Sequence, residues 1–347
     1  MKREPPIRVL VIDDSAANRR EISAVLESAP GITVVDRASD GDEGLQKAVA
    51  LKPDVVTLDL EMPRLDGFTF LRLLKATART PVIVLSSYAH PSDVFKALEL
   101  GAFDFVPKPA ELGKKAMEGM WAELIAKVRS VRELTPEVAA RPSRPILPPP
   151  SPARPGPVVV AVGASTGGPP AIQQLVTALK GQPVSLLIAQ HMPPRFTQAF
   201  AERLDQLGAL RVSEARAGDR LRLGAALVAP GGSQLELVQD AQGSLSVDVR
   251  APSPADRHAP SVDRLFTSVA KVLGPRALGV VLTGMGDDGV AGVRALGEAG
   301  GEVWAESQET AVIFGMPRAA IQTGVVKKVL GLKDLAAALV TRVASPG

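Results

Sequence analysis

Residues 158–168 read VVVAVGASTGG, an apolar run that stops on Ser165 and passes at once through Thr166 into two glycines. The run predicts a buried strand. The stretch that follows, GGPPAIQQLVTALK (167–180), predicts a helix with Pro169 and Pro170 in its first turn, where proline is tolerated. Ser165 therefore stands just ahead of a helix N-terminus, where unpaired N–H groups can stabilise an anion. Gly167 and Gly168 let a substrate approach the backbone closely. The plain alternative is a tight turn that merely contains a serine. The flanking residues do not form G-x-S-x-G, so the usual α/β-hydrolase elbow is not indicated.

A serine nucleophile needs a base, and the chain has three histidines. His90 lies in the first half. His191 ends the apolar run VSLLIAQH (184–191), the strand after the helix that follows Ser165, so the carboxyl ends of the two strands should lie close together. His258, in ADRHAPSVDRLF (255–266), precedes a helix and is read as a substrate-side or structural residue. His191 is the favoured base. The base in turn needs a carboxylate. ALGVVLTGMGDDG (277–289) is another apolar strand running into a Gly-rich loop with Asp287 and Asp288. One acid can cap the helix that follows while the other turns toward His191.

Length and composition bound the rest. A chain of 347 residues with 46% hydrophobic content argues for two domains. Net charge is only +3, and the pI of 9.2 reflects how little titrates between about pH 7 and 9 with no Cys, one Tyr and three His. Aromatics are 3% of the chain, so neither charge nor stacking points to nucleic acid. Zero cysteines exclude disulfides, thiolate metal sites and a cysteine nucleophile. The apolar run in MKREPPIRVLVIDD is too short for a signal peptide, and no stretch approaches the ~20 apolar residues that span a bilayer. The expectation is a soluble, cytoplasmic protein without membrane insertion.

Residues 135–157, TPEVAARPSRPILPPPSPARPGP, are Pro-rich and favour extended chain, which reads as an interdomain linker. Ahead of it, the apolar runs RVLVID, VVTLDL, PVIVLSS and FDFVPK alternate with the helical patterns ANRREISAVLES, GDEGLQKAVAL and FTFLRLLKAT. Such alternation predicts a parallel sheet with helices on both faces and active residues at the carboxyl edge. Those edges carry Asp13 and Asp14, then Asp59, then Ser86 and Ser87, then Lys108 before Pro109. Three crowded carboxylates call for a hard divalent cation such as Mg²⁺, and a lysine with a hydroxyl beside it can hold a phosphoryl group.

VLVIDDS, TLDLEMPRLDGF, IVLSS and GAFDFVPKP together make residues 7–125 resemble a response-regulator receiver domain. VGASTGG, AQHMPPRFT, RHAPSVDRLF, LTGMGDDG and IFGMP, in that order through residues 158–325, resemble the catalytic domain of the CheB chemotaxis methylesterases. The resemblance implies a flavodoxin-like α/β receiver over residues 1–130, a Pro-rich linker over 131–157 and a doubly wound α/β methylesterase domain over 158–347. In the receiver it implies that Asp59 is phosphorylated by a histidine kinase of the CheA type. Asp13 or Asp14, with Asp59 and the backbone of Glu61, would hold Mg²⁺. Ser86 and Phe105 take the switch positions, and Lys108 contacts the phosphate.

In the catalytic domain the resemblance makes Ser165 the nucleophile, His191 the base, Asp288 the orienting acid and the Met285 N–H an oxyanion donor. The family pattern G-M-G-x-D-G puts Asp287 at its variable position. The implied activity is hydrolysis of glutamate methyl esters on chemoreceptors, with deamidation of receptor glutamines, and no cofactor for the ester reaction. An unphosphorylated receiver would cover the catalytic face. Ile313 stands where valine is usual, with no consequence expected for the chemistry.

Overall fold

The computed structural model describes residues 4–87, 91–109, 114–134 and 158–344. His90 and the Pro-rich stretch 135–157 lie outside them. Packing divides the chain into two units, Met1–Glu133 and Leu134–Gly347.

The first unit alternates β1 (Ile7–Ile12), α1 (Ala16–Ser28), β2 (Ile32–Ala38), α2 (Gly41–Leu51), β3 (Val55–Asp59), α3 (Gly67–Thr77), β4 (Val82–Ser87), α4 (Pro91–Glu99), β5 (Asp104–Lys108) and α5 (Lys114–Ser130). All five strands are parallel, in the order β2-β1-β3-β4-β5. Val9, Leu10, Val56, Leu58, Ile83 and Val84 are fully buried, as a strand covered on both faces requires. The helices start on side-chain caps: Ser15 accepts the Asn18 N–H, Asp40 the Glu43 N–H and Asp66 the Thr69 N–H. A turn of 3-10 helix, Val131–Glu133, follows α5.

The second unit is built from β6 (Val158–Ala164), α6 (Gly168–Ala178), β7 (Val184–Gln190), α7 (Phe196–Gln206), β8 (Arg211–Glu214), β9 (Ala225–Val228), β10 (Gln234–Gln239), β11 (Leu245–Arg250), α8 (Val262–Leu273), β12 (Leu278–Val281), α9 (Val290–Glu298), β13 (Glu302–Glu306), α10 (Gly315–Gln322), β14 (Lys328–Leu330) and α11 (Leu332–Ala344). Seven parallel strands form one sheet, β14-β13-β12-β6-β7-β9-β8. β10 and β11 form a separate antiparallel hairpin.

The chain leaves β6 toward β7 on one side and returns to β12 on the other. Right-handed crossovers running outward in opposite directions place their helices on opposite faces. The crevice at the carboxyl ends of β6, β7 and β12 is thus the switch point of a doubly wound sheet, where such folds bind ligands. One close approach fixes the geometry there. A Cβ on Gly163 of β6 would lie 2.3 Å from Val262 Cγ1, so only glycine lets the first turn of α8 rest directly on the strand.

Candidate active site and receiver edge

Ser165 follows β6 directly. Its N–H donates to Thr283 O at 3.1 Å, beyond the end of β12, and its carbonyl accepts the Gly168 N–H at 2.8 Å. Gly167, at φ 77°, makes the reversal into α6. The next strand over, β7, ends in Gln190, whose side-chain amide donates to Ser165 O at 2.9 Å and His191 O at 3.1 Å. The His191 N–H donates to Ala164 O at 3.0 Å, so the histidine continues the β6/β7 register beside the serine. Ser165 Oγ makes no hydrogen bond to His191 among the described residues. Such bonds commonly tighten only when substrate is bound.

His191 Nε2 lies 2.7 Å from Asp288 Oδ2. That oxygen also accepts the Val262 N–H at 2.7 Å, while Oδ1 accepts Ser261 Oγ–H at 3.0 Å and the Asp263 N–H at 3.1 Å. The carboxylate thus sits on the N-terminus of α8, where unpaired N–H groups and the helix dipole favour negative charge. Burial pushes its pKa up, but the His191 bond and charge and the Val262 and Asp263 N–H groups more than offset this, bringing it to about 2. Asp287 next to it is exposed, and its carbonyl accepts the Val290 N–H at the start of α9.

The turn after β12 is braced from two sides. Gly284 O accepts the N–H groups of Gly315 and Met316 at the start of α10, and the Gly284 N–H donates to Ile313 O. A trans peptide aims its N–H opposite to its C=O, so these bonds fix the direction of the Met285 N–H. No described residue accepts that N–H. Thr283 Oγ1 donates to Thr166 O at 2.9 Å and accepts the Ile313 N–H at 2.9 Å. The Thr283 N–H donates to Glu306 Oε2 at 2.8 Å, and Thr310 Oγ1 lies 2.9 Å from Glu306 Oε1. Glu306 is fully buried, and burial raises its pKa despite the Thr283 and Thr310 bonds.

His258 lays its ring on His191, with centroids 4.3 Å apart and planes 9° from parallel. Desolvation of the covered ring, then the His191 charge, lower its pKa, against Asp288 and Asp287. Its carbonyl is held by Gln234 Nε2 at 2.7 Å, and Gln234 Oε1 accepts the Ser261 N–H at 2.8 Å, so the hairpin clamps this loop.

In the first unit, one carboxylate oxygen each of Asp13, Asp14 and Asp59 lies within 4.8 Å of the others. Asp13 is fully buried and Asp14 exposed. Lys108 Nζ is 2.5 Å from Asp59 Oδ2 and 3.4 Å from Asp13 Oδ2. Burial raises the Asp13 pKa; Lys108 lowers it and Asp59 raises it further, leaving it above the ordinary value. Oxygen donors crowded this closely suit a small hard cation. The Glu61 N–H donates to Asp59 Oδ1 at 3.2 Å. Ser86 is buried one register step from the partner of Asp59. Phe105 is buried, with Lys127 Nζ 5.1 Å from its ring centroid and donating to its carbonyl.

The family model for the CheB methylesterase matches residues 160–339, and that for the response regulator receiver domain matches residues 9–116. The chain belongs to the CheB methylesterase family. A protein-glutamate methylesterase/protein-glutamine glutaminase of Myxococcus xanthus is 56% identical over 98% of this chain and 98% of the relative. One from Anaeromyxobacter dehalogenans is 52% identical over 97% of this chain and 96% of the relative. The crystal structure of the Thermotoga maritima CheB methylesterase catalytic domain superposes with a TM-score of 0.52 at 34% identity, covering 54% of this chain and 98% of that one.

The crevice of the second unit brings Ser165, His191, Asp288 and the Met285 turn together, and the receiver edge gathers Asp13, Asp14, Asp59, Ser86 and Lys108. Residues that sequence reading missed are the ones that hold these in place: Ser261, Gln190, Gln234, Thr283 and Glu306. Glu306 carried a usable signal, since it ends the apolar run of β13 as Ser165 and His191 end or follow theirs. A groove of about 1020 Å³ opens beside Asp288 and His258, between α8 and the hairpin, and is lined by Arg257, Arg264 and Lys271. No helix among the described residues is long and apolar enough to cross a membrane.

Proposed function

We propose that this CheB-family chain is a phosphorylation-regulated serine hydrolase of the cytoplasm. It removes the methyl group from glutamate methyl esters on chemoreceptor cytoplasmic domains and deamidates receptor glutamines with the same groups. The observation that carries the reading is the 2.7 Å His191–Asp288 bond on the strand end adjoining that of Ser165.

Ser165 Oγ attacks the ester carbonyl while His191 takes its proton. Nε2 faces Asp288, so Nδ1 is the nitrogen that receives it. The Met285 N–H stabilises the oxyanion, commonly a large contribution to such reactions. Methanol leaves with the proton from His191, and a glutamyl-enzyme remains. His191 then activates water, which releases glutamate and frees Ser165. Asp288 keeps the imidazole in one tautomer and stabilises its cation. These steps call on no cofactor. The groove beside Asp288 and His258 gives room for the receptor segment around the ester.

Division of labour follows a receiver over 1–130, a linker over 131–157 and the catalytic domain over 158–347. Asp59 takes the phosphoryl group from a CheA-type histidine kinase. Asp13, Asp14 and Asp59 would hold Mg²⁺, with the backbone of Glu61 as a further ligand, and the ion when bound would supply charge neutralisation at the phosphoryl oxygens. Lys108 contacts the phosphoryl group, while Ser86 and Phe105 carry the change to the receiver surface. No nucleic acid or membrane insertion enters this scheme.

Release of methanol from methyl-labelled receptor fragments tests the reading. A small-molecule phosphodonor with Mg²⁺ should raise the rate by about 5- to 150-fold, the range of ordinary coupling free energies. Asp59→Asn should abolish that response. Absence of methanol from phosphorylated protein would overturn the assignment.

A further inference from the structure

Glu306 is a carboxyl with no exposed surface, at the end of β13, beside the strand that leads to the oxyanion turn. No cation pairs with it among the described residues, although burying a carboxylate without one is costly. Both its oxygens are instead engaged by hydrogen bonds. Oε2 accepts the Thr283 N–H, and Oε1 meets Thr310 Oγ1, which itself accepts the Leu332 N–H at 3.0 Å.

Thr283 is the residue through which this matters. Its carbonyl holds the Ser165 N–H, and its hydroxyl ties Thr166 O to the Ile313 N–H. Gly284 and Met285 come immediately after it. One residue therefore sets the position of the nucleophile turn and of the turn bearing the oxyanion donor, and its own N–H is fixed by Glu306. We propose that Glu306 is a positioning residue for the hydrolase reaction, locking the Ser165 and Met285 turns in register through Thr283. This rests on the roles given above to Ser165 and Met285.

The required property is an acceptor at Oε2 and a group at the other end that can bond to Thr310. Glutamine satisfies both. Its carbonyl accepts from Thr283, and its amide donates to Thr310 Oγ1, which still accepts from Leu332. Leucine fills the space and satisfies neither. Aspartate keeps the carboxyl but falls one methylene short of Thr283.

The test measures kcat and KM for methanol release by the full chain carrying Glu306→Gln, Glu306→Leu or Glu306→Asp, with the folded fraction measured in each preparation. Displacing reacting groups by about an ångström costs on the order of 100-fold in rate. Glu306→Leu and Glu306→Asp should therefore lose about 10- to 100-fold in kcat at little-changed KM, and Glu306→Gln should restore kcat to near the parent value. Should leucine fail to fold, the aspartate variant gives the same comparison with glutamine. Folded Leu or Asp variants with kcat within about threefold of the parent would overturn the proposal. So would a glutamine variant as slow as the leucine one, since the charge rather than the bond would then be what acts. A Ser165→Ala control separates the two layers: if it stays active, the serine reading fails, whatever Glu306 does.

Discussion

Four hydrogen bonds converge on the two oxygens of Asp288, three of them from residues 261–263 and one from His191. That set, rather than proximity alone, lets a buried carboxylate keep its charge and hold one imidazole tautomer. Asp288→Asn should cost on the order of 10⁴-fold in kcat, as loss of the orienting acid does in serine proteases. Asp287→Asn should be nearly neutral, since the Asp287 contact with α9 is made by its carbonyl. A reversed pattern in methanol-release assays would show that the wrong acid has been assigned.

The same residue sets a pH dependence. Its folded pKa, about 2, lies below the ordinary 3.8, so its contribution to stability is present above about pH 4 and is lost as pH falls through about 2. The shift corresponds to about 2 kcal/mol. The gap in unfolding free energy between the parent and Asp288→Asn should narrow by about that much between pH 5 and pH 2, read by denaturant titration. Sequence reading reached Ser165 and His191 because each follows or ends an apolar run. Strand-end placement alone left the two adjacent acids open and only the family pattern singled out Asp288, because the N–H donors that choose between them come from α8, 26 residues away in sequence.

Among the elements, long apolar strands were legible and short or half-exposed ones were not. β6 and β7 have seven residues each and are buried almost throughout, whereas β8 and β9 have four, with buried positions interrupted by exposed ones in β8 and half-buried ones in β9. The β10–β11 hairpin is amphipathic and lies off the main sheet, so no strand-end argument reaches it. Yet it carries Gln234, which fixes the loop that stacks His258 on His191. An aromatic stack is worth about 0.5–1.5 kcal/mol. His258→Ala should therefore lower kcat roughly 2- to 10-fold, while His258→Phe, which keeps a neutral ring, should keep most of it. Equal losses in both variants would assign the effect to the ring nitrogens and not to stacking.

At the scale of the whole molecule, two α/β units with separate cores each place their chemistry at the carboxyl edge of a parallel sheet. On the proposed roles, the catalytic groups come from one unit and the phosphorylation edge from the other, so phosphoryl transfer to Asp59 would act on catalysis as a population shift, of ~1–3 kcal/mol for ordinary coupling. Acyl transfer in the intact, phosphorylated chain requires Ser165 as its nucleophile. The direct measurement is methanol release from methyl-labelled receptor fragments by that chain and by its Ser165→Ala variant, with folding of both confirmed. A loss of about 10⁴- to 10⁶-fold in the variant is expected from what removal of a triad nucleophile costs elsewhere. A folded Ser165→Ala protein that releases methanol at the parent rate would contradict it.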